Sequence, residues 1–187
     1  MRLFVALEIP EEIRRALALF IERLRNVARG SRWVRAEGLH VTLKFIGEMS
    51  PEKVPELETA LARVGLSPPV DVRLRGGGFF PNERHPHIFW IGVEASPNLA
   101  ELAAAIDAQT RKSGVEAERR AYSPHVTLAR FKNEDGLPQL HEAVRVLEPL
   151  EFGEFHASEF HLIRSEPQAG GSRYTRLASF PFAGSNS

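Results

Sequence analysis

The tetrapeptide His40-Val41-Thr42-Leu43 returns unchanged at His125-Val126-Thr127-Leu128, 85 positions later in a chain of 187 residues. No other feature constrains the fold as tightly. Each copy lies in an apolar stretch that reads as a β-strand, GLHVTLKFIG in the first half and SPHVTLARF in the second. Side chains alternate between the faces of a strand, so His40 and Thr42 share one face and Val41 and Leu43 the other. His125 and Thr127 stand in the same relation to Val126 and Leu128. Each motif therefore offers an oily face to a core and a second face carrying an imidazole and a hydroxyl. Packing explains why a duplicated core strand keeps Val and Leu. It does not explain keeping His and Thr on the opposite face.

The surroundings repeat as well. RLFVALEI reads as a strand, and PEEIRRALALFIERLRNVA as a helix with Ile13, Leu17, Phe20, Leu24 and Val27 on one face and Gly30 at its end. After the first motif come a short helix, PEKVPELETALARVG, and a strand, VDVRLRGGGFF. From Ile88 the order starts again: strand IFWIGVEAS, helix PNLAELAAAIDAQTRKSG, the motif strand, and helix LPQLHEAVRVLEP. Phe152 to Phe182 reads as two strands around the turn EPQAGGS. The order β-α-β-α-β thus occurs twice. Val5-Ala6-Leu7-Glu8 matches Ile91-Gly92-Val93-Glu94, and 32 residues separate Glu8 from His40 where 31 separate Glu94 from His125. These observations predict one bilobal domain over 1–187, with approximate lobes 1–80 and 88–165 and a closing strand at 172–182. GGGFFPNERHPH lies between the halves as a linker or a functional loop.

Composition excludes several classes. At 43% hydrophobic and 26% charged residues the chain is of ordinary globular type and long enough to bury a sizeable core. The formal net charge is zero, which argues against a long non-specific grip on duplex nucleic acid. Local basic patches remain open, because 20 of the 24 cations are arginine, a side chain suited to planar phosphate contacts. The absence of cysteine removes disulfides, zinc-thiolate sites and thiol nucleophiles. The N-terminal stretch turns acidic too early for a signal peptide, and no apolar run approaches the span of a bilayer. A soluble, cytoplasmic protein is the expectation.

If the halves pack about a pseudo-two-fold axis, both polar faces open on one cleft. Two histidines of ordinary pKa, about 6.5, hold one protonated and one neutral imidazole near neutrality. One then gives a proton while the other takes one, as in-line displacement at phosphorus requires. Threonine hydroxyls donate to the non-bridging oxygens, where charge builds in the transition state. This chemistry calls for no cofactor and no metal, and a strained cyclic phosphate suits it.

These residues resemble the 2H phosphoesterase superfamily, named for its two His-x-Thr-x motifs. The closer resemblance is to the RNA 2′,3′-cyclic phosphodiesterase branch, also called 2′-5′ RNA ligases. It spans nearly the whole chain: RLFVALEIP, RWVRAEGLHVTLKFIG, GGFFP, SPHVTLARFK and the closing GSRYTRLASFPF. The resemblance implies an α+β fold, bilobal, with antiparallel sheets lining a central cleft and helices outside. It implies hydrolysis of RNA ends carrying a 2′,3′-cyclic phosphate to a 2′-phosphate, and reversible ATP-independent 2′-5′ joining. On this chain His40 is then the proton donor to the departing 3′ oxygen, His125 the proton acceptor that activates water, and Thr42 and Thr127 the phosphate holders. The partners implied are RNA ends. A monomer is expected, since two halves complete one site.

Further candidates follow from strand parity and composition. Lys44 shares parity with His40 and Thr42, which aims it at the cleft. Arg130 suits phosphate, but parity puts it with Val126 and Leu128, so it needs a bend in the strand or a place at the rim. Phe131 has the parity for the cleft. Phe80, with Phe79, Trp33 and Tyr122, is an available base-stacking surface. His85 and His87 read as a surface turn rather than a metal site, and His141, His156 and His161 as surface or packing residues. Competing functions are a 2H enzyme acting on a small cyclic nucleotide phosphate or a 3′ oligonucleotide end, a non-catalytic nucleotide-binding module, and a zinc hydrolase. Loss of one histidine would mark the module; inhibition by chelators would mark the zinc enzyme.

Overall fold

In the computed structural model, residues 1–64 and 68–182 are described. The elements in chain order are β1 (Arg2–Glu8), α1 (Glu11–Leu24), β2 (Ser31–Trp33), β3 (His40–Glu48), α2 (Val54–Ala62), β4 (Val70–Phe80), β5 (Ile88–Ala95), α3 (Asn98–Arg111), β6 (His125–Phe131), α4 (Leu137–Leu147), β7 (Glu151–Ala157), β8 (Glu159–Gln168) and β9 (Gly171–Pro181). They build the expected α+β fold: two antiparallel sheets, ordered β3-β1-β8-β9 and β2-β6-β5-β4-β7.

Local sequence explains most elements. β1 is apolar from Leu3 to Leu7 without alternation because both its faces are covered and it pairs on both edges, with β3 and with β8. Leu3, Val5 and Leu7 enter the main core; Phe4 and Ala6 form a small cluster with Ile163 on the other face. α1 buries Ile13, Leu17, Phe20, Ile21 and Leu24, places Glu11 and Glu12 in its first turn and Arg23 in its last, each favourable to the helix dipole. It ends at Leu24, earlier than the expected Gly30. The chain turns there, Val27 N–H donating to the Leu24 carbonyl, and spends 31–33 on β2. The helix expected from Pro51 splits: Pro51–Lys53 is a 3₁₀ turn and α2 follows, while Gly65 lies outside the described residues, as do 183–187. The tail holds three strands rather than two, because β7 precedes the β8–β9 hairpin.

Three departures from the sequence reading position the site. First, sheet membership does not follow the division at 80/88. β4, from the first half, lies in the sheet of β5 and β6, and β8, from the second half, pairs with β1. Each half donates its fourth strand to the other, and β2 of the first half also pairs with β6. GGGFFPNERHPH is accordingly no inter-lobe linker: Gly76 to Phe80 end β4, and 81–87 close a hairpin in which Phe80 faces Ile88.

Second, the structural repeat is offset from the sequence match by two residues. Leu7 faces Val41 and Ile91 faces Val126, so Leu7 corresponds to Ile91, where residue matching pairs Val5 with it. By the same register Ala6 corresponds to Trp90, and Glu8 to Gly92.

Third, each motif strand carries a β-bulge at the same place. Ala6 faces Thr42 and Val5 faces Lys44, leaving Leu43 as the extra residue. Trp90 faces Thr127 and Phe89 faces Ala129, leaving Leu128 extra. A bulge resets strand parity. Leu43 with Lys44, and Leu128 with Ala129, are all buried on the core side. Position five after each histidine, Phe45 or Arg130, returns to the histidine face.

Candidate active site

β3 and β6 lie against each other across the two sheets, and the Tyr122 hydroxyl, just before β6, donates to the Thr42 carbonyl at 2.9 Å. Burial pushes the Tyr122 phenol above its ordinary pKa, so it stays a donor in that bond. The two His-x-Thr pairs are thereby fastened to one another at the centre of the molecule. All four side chains are half-buried. Among the described residues neither Thr42 nor Thr127 gives its hydroxyl to a protein partner, so both remain free to donate to a ligand.

The histidines are held alike but environed differently. His125 Nδ1 lies 2.8 Å from the Ser123 carbonyl. A carbonyl only accepts, so Nδ1 carries the proton and the neutral ring keeps its lone pair on Nε2. The Gly38 carbonyl, likewise two residues upstream, bonds His40. Beyond this the symmetry breaks. His40 stacks on Phe4 at 4.6 Å between ring centroids and meets the edge of Tyr174 at 5.6 Å. Its cross-strand neighbour is Glu8, whereas that of His125 is Gly92. Burial lowers the His40 pKa from 6.5 to about 4, against the pull of the Gly38 carbonyl and the Glu8 carboxylate. His40 is therefore neutral at pH 7.

Glu8 is itself fixed. Arg176 on β9 donates to both its oxygens, through Nε at 3.0 Å and through a shorter bond from the second nitrogen. Burial raises the Glu8 pKa, but the Arg176 bonds, with the charges of His161 and Arg14, more than reverse it and hold the carboxyl below its ordinary range. A pocket of about 80 Å³ opens here, lined by His40, Tyr174, Glu8, Arg14, Glu37 and Arg176 among others. Tyr174 and Arg176 were not among the sequence candidates. Their two-residue spacing on a closing strand was the available signal, and only the β8–β9 pairing brings it beside His40.

The bulges decide the remaining candidates. Lys44 is 4% exposed and points away from the cleft, its ammonium donating to Asp107 at 2.6 Å and to the Glu116 carbonyl at 2.8 Å. It ties β3 to α3, so the cleft-facing expectation is corrected. Phe131 is corrected likewise: it packs into the core, 6.0 Å from Phe79. Arg130 gains what they lose, exposed on the face of His125 and Thr127. Phe80 stands edge-on to His125 at 5.4 Å and 5.0 Å from Trp90. Phe79 and Trp33 pack against Phe89 in the core.

Trp90 was missed by sequence reading. Its ring lies flat over Gly78, where a Cβ would come within 2.4 Å of it, and passes beside Gly92. Cross-strand facing of Trp90 with Gly78 and Thr127 gives a flat aromatic surface next to the motif. Phe45, 58% exposed and 6.4 Å from Phe4, is the other omission. Of the lone histidines, His85 is exposed against Glu134, and His156 against Asp71. His161 is buried and bonded to Ser179.

This arrangement defines a class: an α+β protein of two antiparallel sheets that carries two His-x-Thr pairs on equivalent bulged strands lying against each other. The sequence model of the 2′-5′ RNA ligase superfamily matches residues 10–169, and the chain belongs to that superfamily, the 2H phosphoesterases of the resemblance above. A Thermus thermophilus protein named RNA 2′,3′-cyclic phosphodiesterase is 39% identical, over 98% of this chain and 91% of its own. A Methanocaldococcus jannaschii protein of the same name is 35% identical, over 93% and 96%. Among solved structures, Escherichia coli LigT complexed with 3′-AMP superposes with a TM-score of 0.78 at 27% identity, covering 97% of this chain and 98% of that one.

Proposed function

We propose that the chain hydrolyses RNA 2′,3′-cyclic phosphodiester ends to 2′-phosphomonoesters, by acid–base catalysis between two histidines and without a metal. The observation that carries this reading is the pair of His-x-Thr faces on equivalent strands, tied together through Tyr122 and Thr42. The naming of relatives as RNA 2′,3′-cyclic phosphodiesterases supports it. Thr42 and Thr127 donate to the non-bridging oxygens. Water attacks phosphorus, its proton passing to Nε2 of His125. The P–O3′ bond breaks in line, and His40 protonates O3′. The products are a 2′-phosphate and a 3′-hydroxyl. A 5′-hydroxyl in place of water gives 2′-5′ joining by the same bond changes.

The asymmetry around the histidines supports this division of roles. His40 has a fixed carboxylate opposite it, while His125 has a glycine. An arriving phosphate anion adds to the pull of Glu8, and His40 takes up its proton together with the substrate. The protein works as a monomer, each chain supplying both motifs.

The test is hydrolysis of a short RNA ending in a 2′,3′-cyclic phosphate, in EDTA across a pH series. Wild type is compared with His40→Ala and His125→Ala. Each variant is expected to lose roughly 10²–10⁴-fold in kcat/KM, and the wild-type product to be the 2′-phosphate. Turnover abolished by EDTA would replace this reading with metal hydrolysis. Tight nucleotide binding with no turnover would make the protein a binding module.

A further inference from the structure

Arg130 and Arg32 stand directly opposite one another across the β2–β6 pair. Both are exposed. Directly opposed residues of an antiparallel pair project from the same face, so Arg32 shares the face of Arg130, and through the bulge at Leu128 that is the face of His125 and Thr127. Two like charges at this spacing repel one another and weaken the pairing they belong to. Among the described residues neither guanidinium has an acidic partner to relieve that repulsion. β2 is three residues long and is held against β6 by its ladder, by the Val34 N–H to Leu128 carbonyl bond and by Trp33 packing on Phe89, all on or behind the sheet rather than at the two guanidinium groups. An anion between the two guanidinium groups removes the repulsion and bonds both.

The position of the pair relative to the motif identifies the anion. Arg130 lies two ladder steps beyond Thr127, since their partners on β5 are Ile88 and Trp90. At a strand rise of about 3.3 Å per residue this is roughly 7 Å. That separation is comparable with the distance between consecutive phosphates along a nucleic-acid strand. Beside them Trp90 stands at the ladder level of Thr127, over Gly78, and Phe80 at the level of Arg130, the two rings 5.0 Å apart.

We propose that Arg32 and Arg130 form a subsite for the phosphate on the 5′ side of the terminal nucleotide, one nucleotide upstream of the reacting cyclic phosphate. The proposal rests on the RNA-end reading above and deepens it: the preferred substrate carries a second phosphate, and a bare nucleoside cyclic phosphate leaves the subsite unfilled. Arg32 is the distinguishing residue, because it belongs to neither motif strand.

The test compares three probes with wild type, Arg32→Gln and Arg32→Lys. They are adenosine 2′-phosphate, adenosine 2′,5′-bisphosphate, and an adenylyl dinucleotide ending in a 2′-phosphate. Binding is measured by calorimetry over a range of salt. Wild type is expected to bind the last two more tightly than the first. Arg32→Gln weakens the two about tenfold, far more than the first, and lowers their salt slope by about one; Arg32→Lys restores part of the loss. Tighter binding of the dinucleotide alone would identify a phosphodiester, and of both a phosphate of either kind. Equal weakening of all three probes by Arg32→Gln, or no weakening, overturns the subsite. The cyclic forms of the same probes report turnover. If wild type turns over none of them while the binding pattern holds, the catalytic reading falls and the subsite stands.

Discussion

His40 packs on the face of Phe4 and the edge of Tyr174, which also touch each other, with a carboxylate opposite, and that seat sets its acid–base behaviour. Its pKa is depressed from 6.5 to about 4, so between these values the unfolded chain binds the proton that the folded chain refuses. Stability from the neutral ring is complete above pH 6.5 and is lost as the pH falls through about 4. Denaturant midpoints for wild type should decline over this window, and those of His40→Gln should decline less. A parallel decline would show that His40 is not the group responsible. The same linkage makes phosphate binding at pH 5–7 take up protons, which calorimetry in buffers of different ionisation enthalpy measures directly. The pairing of His with Thr was legible from alternation alone. The difference between the two histidines was not, because Glu8 and Gly92 become neighbours of the motifs only through strand register.

At the scale of the element, one bulge per motif strand decides four residues. It turns Lys44 and Phe131 inward and Phe45 and Arg130 outward. Alternation is a reliable reading only while hydrogen-bonded pairing runs without an extra residue, and nothing in LHVTLKF or PHVTLAR marks Leu43 or Leu128 as that residue. The consequence for Lys44 is measurable. Its ammonium is the buried partner of Asp107, whose oxygen also accepts the Glu118 N–H. Lys44→Met removes the charge-assisted bonds to that partly exposed carboxylate and is expected to destabilise the protein by about 2 kcal/mol, with kcat near wild type in the folded fraction. A cleft-facing lysine would give the reverse, unchanged stability and lowered activity.

At the scale of the whole molecule, the exchange of β4 and β8 interlocks the two halves. Neither half owns a complete sheet: β5 and β6 need β4, and β1 and β3 need β8. A fragment ending in the 81–87 hairpin loop thus exposes an unpaired strand edge and an uncovered core face. Fragments 1–83 and 84–187, expressed separately, are expected to be unfolded by circular dichroism and to regain the wild-type spectrum when refolded together. A fragment that folds alone with a sharp thermal transition would show two independent lobes instead.

The duplicated HVTL, the order of strands and helices, and the sidedness of His with Thr are local properties, set by side-chain alternation and hydrophobic period, and the sequence alone determined them. Membership of the sheets, the two-residue offset between the repeats, and the bulges depend on which backbone groups find partners across long separations in the chain. Those choices bring Glu8 and Arg176 to His40, lay Trp90 beside Thr127, and set Arg32 against Arg130. Hydrogen-bond register is a relation between strands, written in neither strand by itself, and so only the tertiary structure decided it.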